Sequence, residues 1–332
     1  MAFFNSSKSA PAFTRKITDE DIHFCYTFFL KREPDDEGMK HYRERMAAGA
    51  TLEELIRGFV ASDEFLMRIG SAPQNDVAEV DLGGYLVAVH RLDPDFGNHI
   101  YQFKEYEEHV RKALRDNVRE GGVFVDVGAN VGVMALLAGK IVGPTGRVIA
   151  IEPEPANLQM LYRGIIINKL TNVEVWPFAA SNARQIFSMG GLSNGHMEEA
   201  GAVGASGKLA QSVVLDDLLG DLPRLDCVKI DIEGHEPAAT EGFWKNLKKH
   251  RPALIVEWNP RTLKRAGEDI RAYGAKLLEI HPALRVTSAF GDDHTVKSAD
   301  ELVQFWNTRD AEITAAGKLP SGALHFDLIA GP

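Results

Sequence analysis

Two carboxylates flanking a glycine-rich turn are the groups in this 332-residue chain best placed to do chemistry. The apolar run Val123-Phe124-Val125 ends in Asp126, and Gly128-Ala129-Asn130-Val131-Gly132 leads into an apolar helical stretch over 134–141. Glycines let a backbone pass close to a ligand, and ligands of open α/β sheets sit at the carboxyl ends of the strands. A second apolar run, Val148-Ile149-Ala150-Ile151, ends in Glu152, 26 residues after Asp126. An acid at that strand tip is placed to accept hydrogen bonds from ribose hydroxyls. A nicotinamide dinucleotide site would read G-x-G-x-x-G, with amides facing a pyrophosphate. Here the third glycine is absent and an Asp precedes the first. A carboxylate opposes a pyrophosphate but suits a cationic cofactor, so S-adenosyl-L-methionine is expected over NAD(P).

Methyl transfer from a sulfonium needs a positioned acceptor and, for an alcohol, removal of its proton. Candidates are Asp231, Glu233, His235 and Glu236 beyond the next apolar run, with Glu257 at the end of a later one. His235 is attractive because an imidazole suits general-base work near neutrality. Side chains alternate along a strand end, so only one of Asp231 and Glu233 is expected to reach the substrate. Asp231, Glu257 and a nearby acid could also hold a hard cation, but no D-x-D or His-rich spacing supports it, and no metal is expected. His196, His281 and His325 are isolated in sequence, and Trp306 is a candidate pocket residue.

The elements that position these groups alternate apolar runs with helical patterns. Strands are expected at 123–127, 147–151, 173–177, 227–232, 253–258, 276–280 and 324–329, the last as an antiparallel edge strand. A Rossmann-like α/β domain with a seven-stranded, mostly parallel sheet results. Ahead of it, Gly83-Gly84 turns a hairpin between 77–82 and 85–90, and a helix covers 101–117. A glycine-rich stretch over 183–212 could fold over the acceptor as a lid or form a plain surface hairpin.

The amino-terminal part reads differently. Residues 1–15 are expected to form a disordered tail, 16–72 a small helical domain and 77–332 the α/β domain. Thr18 with Asp21, and Thr51 with Glu54, have the spacing of helix-start boxes. The chain carries 37 basic and 47 acidic side chains, a net charge of −10. That field repels a polyanion, so nucleic acid is not the expected partner. Two cysteines, Cys25 and Cys227, suit a reducing compartment, and no stretch has the composition of a signal or a membrane span. A cytoplasmic location is expected.

Blocks across 81–260 resemble the FkbM-type methyltransferases. They are Asp126 through Gly132, Gly143-Pro144-Thr145-Gly146-Arg147-Val148, Glu152-Pro153-Glu154-Pro155 with Asn157, Asn168-Lys169-Leu170, Leu215-Asp216-Asp217-Leu218, and Lys229-Ile230-Asp231-Ile232-Glu233-Gly234-His235-Glu236. The resemblance implies the class I fold and methyl transfer from S-adenosyl-L-methionine to an oxygen, as on a sugar, glycan precursor or secondary metabolite. It further implies that Asp126, Gly128, Asn130, Gly132 and Glu152 line the cofactor, that Ala180 and Ser181 lie beside its adenine, and that Glu107 approaches its methionine end. Asp231, His235 and Glu257 are the expected catalytic set. Phe28 through Gly38, then Tyr42, Gly49 and Phe59 through Phe65, resemble a small bacterial helical module of unknown function, which implies a packing or recognition role or a homo-oligomer contact. An NAD(P)-dependent oxidoreductase and a cofactor-binding module without turnover are the alternative readings.

Overall fold

The computed structural model describes residues 15–30, 32–60, 62, 64, 76–94, 96–190, 196–199 and 208–331. Three helices come first, Asp19–Leu30, Asp36–Ala47 and Leu52–Val60. Their starts follow from local hydrogen bonds. The Thr18 amide donates to Asp21 Oδ2 at 2.8 Å, and the Asp21 amide donates back to Thr18 Oγ1. Thr51 and Glu54 repeat the exchange. Each box satisfies amides that the first helical turn leaves without partners. Ile22, Cys25, Phe29, Leu55, Ile56 and Phe59 are buried among these helices and join a core continuous with the rest of the chain. Of the expected tail only Arg15 is described, held by Asp21. Ser62-Asp63-Glu64-Phe65 predicts a last short helix ending near Gly70, and that stretch lies largely outside the described residues.

Gly83 and Gly84, both at positive φ, turn the chain between β1 (Val77–Asp81) and β2 (Leu86–His90), an antiparallel pair. Asp81 Oδ1 accepts both glycine amides. The single helix expected over 101–117 is instead two, Gly97–Phe103 and Glu108–Asn117. Lys104 and Glu107 adopt left-handed backbone angles between them, which ends the first helix and re-aims the chain.

Beyond this lie β3 (Val123–Val127), β4 (Arg147–Ile151) and β5 (Val173–Trp176), joined by helices Val133–Val142 and Pro155–Ile167. The chain then forms a smaller set, β6 (Ala179–Ala180), β7 (Ile186–Gly190), β8 (His196–Glu199) and β9 (Lys208–Val213). The described part of the 183–212 stretch is therefore mostly antiparallel strand, β9 on β7 and β7 on β8; residues 191–195 and 200–207 lie outside the description. Next come β10 (Cys227–Ile230), β11 (Ala253–Trp258), β12 (Leu284–Thr287), β13 (Asp293–Val296) and β14 (Phe326–Ala330).

The main sheet has the order β13-β12-β14-β11-β10-β3-β4-β5. Strands β3, β4, β5, β10 and β11 run parallel, and their near-continuous apolar residues are buried on both faces. The class I arrangement holds, with corrections in detail. Eight strands form the sheet rather than seven, because β13 extends its edge. Residues 276–280 are not a strand: Asp269 accepts the Arg271 and Ala272 amides and starts the helix Ile270–Leu278, whose Tyr273 and Leu277 are buried four residues apart. β14 is antiparallel as expected, but it lies between β11 and β12, pairing both through Leu328, and is no edge. The successive strands β3, β4 and β5 step outward on one side, and the chain returns to place β10 on the other side of β3. A cleft opens at the carboxyl ends where that direction reverses. Among the described residues no helix is long and apolar enough to cross a membrane.

Candidate functional site

A cavity of about 220 Å³ occupies the carboxyl ends of β3, β4, β10 and β11. Asp126 enters it from β3 and is fully buried. Among the described residues neither of its carboxylate oxygens has a hydrogen-bond partner of ordinary geometry, and only weak help comes from the Ala135 amide. Burial pushes its carboxyl up to about 6, with Lys229 opposing and Asp231 adding to the rise. Lys229 is its register partner on β10. The Lys229 ammonium reaches Asp231 Oδ2 at 2.8 Å. Burial works against its charge, but Asp231, Asp126 and Glu107 outweigh that and hold it protonated.

The glycine-rich turn after Asp126 has little left to offer an anion. The Gly128 and Ala129 amides both donate to Ile151 O, at 2.9 and 3.0 Å. The Asn130 amide donates to Glu152 Oε2 at 2.9 Å, the Val131 amide to Asn130 Oδ1 at 2.7 Å, and the Gly132 amide to Ala129 O at 2.8 Å. All five amides of the turn are engaged within the protein, so no amide cradle faces a pyrophosphate. Glu152, at the tip of β4, also takes the Glu154 amide and the Asn157 side chain, and burial still pushes its carboxyl up to about 7.

The glycines have a structural cause that spacing did not show. At Gly128, φ is +84° and a Cβ would meet Asp231 O at 1.9 Å. At Gly132, φ is +93° and a Cβ would meet Leu161 Cδ1 at 2.3 Å. Gly128 lines the cavity, whereas Gly132 does not and instead lets the helix Pro155–Ile167 pack close.

Glu107 reaches the cavity from the break between helices, beside Tyr106. Burial, then Asp231, pushes its carboxyl up to about 8, against the pull of Lys229. Asp231, Glu233 and Glu257 all line the same space. Strand alternation, the ground for expecting only one of Asp231 and Glu233 to reach the substrate, does not apply here, because the chain leaves β10 at Ile230 and Glu233 adopts a left-handed φ of 58°. Burial, then Asp231 and Glu236, raise Glu257 well above the usual carboxylate range.

His235 is outside this lining. Its Nε2 lies 3.1 Å from Ser181 Oγ, and its ring packs edge-on to Phe187. Ser181 is fully buried and likewise absent from the cavity wall, although Ala180 beside it belongs to that wall. Trp306 is buried, donating to Leu324 O at 2.8 Å, and His281 bonds Pro252 O; both are structural. The imidazole in the lining is that of His325, on the approach to β14. Sequence spacing gave no sign of it, because a single histidine just ahead of a late strand has no motif around it. The aromatic wall of Phe96, Tyr106 and Phe178 was equally invisible.

Residues 126–284 match the family model described as Methyltransferase FkbM domain, and residues 1–69 match a domain of unknown function, DUF4214. No curated protein matches the chain. Among solved structures it is similar to the methyltransferase FkbM from Methylobacillus flagellatus, at 16% identity and a TM-score of 0.39, covering 92% of this chain and 58% of that one. It thus spans little more than half the length of that protein. It is also similar to a precorrin-6y C5,15-methyltransferase from Geobacter metallireducens, at 14% identity and a TM-score of 0.36, covering 70% and 92% of the two chains. A SAM-dependent O-methyltransferase from Thermotoga maritima is 10% identical, with a TM-score of 0.38 and 71% of each chain covered.

Proposed function

We propose that this chain, whose residues 126–284 match the Methyltransferase FkbM domain model, is an S-adenosylmethionine-dependent methyltransferase that methylates a hydroxyl oxygen of a small molecule or glycan precursor. One observation supports the cofactor above the others. The turn that would hold a pyrophosphate has spent its five amides, while the buried Asp126 carboxylate beside it has no hydrogen-bond partner of ordinary geometry. Such a site favours a cation and disfavours the phosphates of a dinucleotide, which speaks against the oxidoreductase alternative. In this reading Glu152 and Asn157, which line the cavity, take the ribose hydroxyls, and Ala180 with Phe178 take a flat base.

When bound, S-adenosyl-L-methionine supplies an electrophilic methyl group. The chain's own part is to seat the cofactor's positive end near Asp126 and Glu107 and to orient an acceptor among Asp231, Glu233, Glu257 and His325. These carboxylates, with the His325 imidazole, are the candidates to take the acceptor proton. His235, held on Ser181, keeps the β6–β9 side of the site in place. The net charge of −10 argues against a nucleic-acid acceptor. The two cysteines, buried and unpaired, suit a cytoplasmic setting. Calorimetry with S-adenosylhomocysteine and with NADH tests the reading. Micromolar binding of the first and none of the second is expected; the reverse result would overturn it. A panel of hydroxylated acceptors with radiolabelled cofactor then separates turnover from binding alone.

A further inference from the structure

We propose that Asp231, Glu236 and Glu257 form a site for a hard divalent cation of the magnesium or manganese kind, set against the acceptor side of the cavity. Three separate elements deliver the ligands: the turn after β10, the first residue of helix Glu236–Gly242, and β11. One carboxylate oxygen from each lies within 4.8 Å of the others. Trans-related oxygens stand about 4.2 Å apart around magnesium and about 4.8 Å apart around calcium, so the cluster is of the size that one hard ion draws together with a small closing of the side chains.

Proximity of acids alone would not make a site, but the hydrogen bonding points to a missing partner. Glu236 has no exposed surface. Its Oε1 accepts the Ile232 amide at 2.9 Å and the Gly234 amide at 3.0 Å, which fixes the carboxylate in place. Its Oε2 is buried with no hydrogen-bond partner among the described residues, and so is Oε2 of Glu257. Buried carboxylate oxygens left in this way, on two residues of one cluster, are costly unless a donor or an ion serves them. Lys229 is the ammonium at hand, and it is committed to Asp231 Oδ2 beside Asp126. The donor set is all oxygen, which selects a hard ion over zinc or copper. Asp231 and Glu257 also line the cavity, so an ion there would present open positions to an acceptor hydroxyl and make its proton easier to remove. That last role rests on the methyltransferase reading; the ion site itself does not.

The test uses the full chain after chelator treatment, titrated with manganese and followed by electron paramagnetic resonance and calorimetry. One manganese per chain, displaced by magnesium, is expected, with Glu257→Gln weakening it at least tenfold while the melting transition stays cooperative. Glu236→Gln should weaken it similarly. Absence of manganese binding at millimolar metal, or equal affinity in Glu257→Gln, would overturn the site and leave the two carboxyls sharing protons. S-adenosylhomocysteine binding in chelator is measured alongside, so failure of the ion site and failure of the methyltransferase reading give different results.

Discussion

The ring of Phe24, in the first helix, lies 6.2 Å from that of Phe178, which lines the cavity. Phe178 also lies 6.4 Å from Trp176 at the end of β5, and helix Leu52–Val60 packs on helix Pro155–Ile167, whose Asn157 lines the site. The amino-terminal module thus backs the wall assigned to the cofactor's base. Phe24→Ala should raise the Kd for S-adenosylhomocysteine about three- to tenfold, with kcat at saturating cofactor little changed. An unchanged Kd would reduce the module to a passive neighbour.

Asp126→Asn should separate binding from stability. The amide keeps the shape but removes a buried charge that has no hydrogen-bond partner of ordinary geometry. Cofactor affinity should fall at least about 30-fold, in line with truncating a buried charge pair. The melting temperature of the ligand-free protein at pH 8 should rise, since desolvation of that carboxylate is relieved. Loss of both affinity and stability would contradict the assignment.

Cofactor affinity and stability should move oppositely with pH. Burial pushes Asp126 to about 6, Glu152 to about 7 and Glu107 to about 8. Each is raised above its unfolded value, so its contribution to stability is fully present only below about pH 4 and is lost as pH rises through the folded value. The ligand-free protein should therefore lose melting temperature between about pH 5 and 8. Over the same window S-adenosylhomocysteine should bind more tightly, as the carboxylates that face its cationic end ionise. A melting scan across pH, with and without ligand, would show the shift on binding growing with pH.

His235→Ala should act on stability more than on turnover. It removes the 3.1 Å hydrogen bond to Ser181, a loss of about 1 kcal/mol, without opening the cavity. Asp231→Asn and His325→Ala, both at the cavity, should lower kcat by a larger factor. A collapse of kcat in His235→Ala with Tm unchanged would restore His235 to the proton-transfer role.

Gly128→Ala should not fold normally. It would force a Cβ to 1.9 Å from Asp231 O at a φ of +84°. At both counts the cost exceeds that of ordinary glycine replacement, and a loss of several kcal/mol is expected, measured by denaturant unfolding. Near-normal stability would mean that the turn has more freedom than its packing indicates.

What could be read from sequence was what short-range rules decide. Apolar runs ending in Asp126 and Glu152, the helix-start boxes at Thr18 and Thr51, and the Gly83-Gly84 hairpin all rest on neighbours within a few residues, so spacing is enough to see them. The parallel α/β order and the cationic character of the cofactor followed from those runs and from the sign of one carboxylate. Tertiary structure decided the rest, because it depends on partners far apart in the chain. Glycine at 128 answers to Asp231, more than a hundred residues away, and glycine at 132 to Leu161. His235 turns from the cavity because Ser181 and Phe187 meet it first, and His325 enters because β14 inserts between β11 and β12. Glu107 faces the site because two left-handed residues break a helix that periodicity alone would have carried through. Local pattern fixes which groups a strand or turn can present; only long-range packing fixes which of them share a desolvated cavity, and that is where their charges acquire chemical meaning.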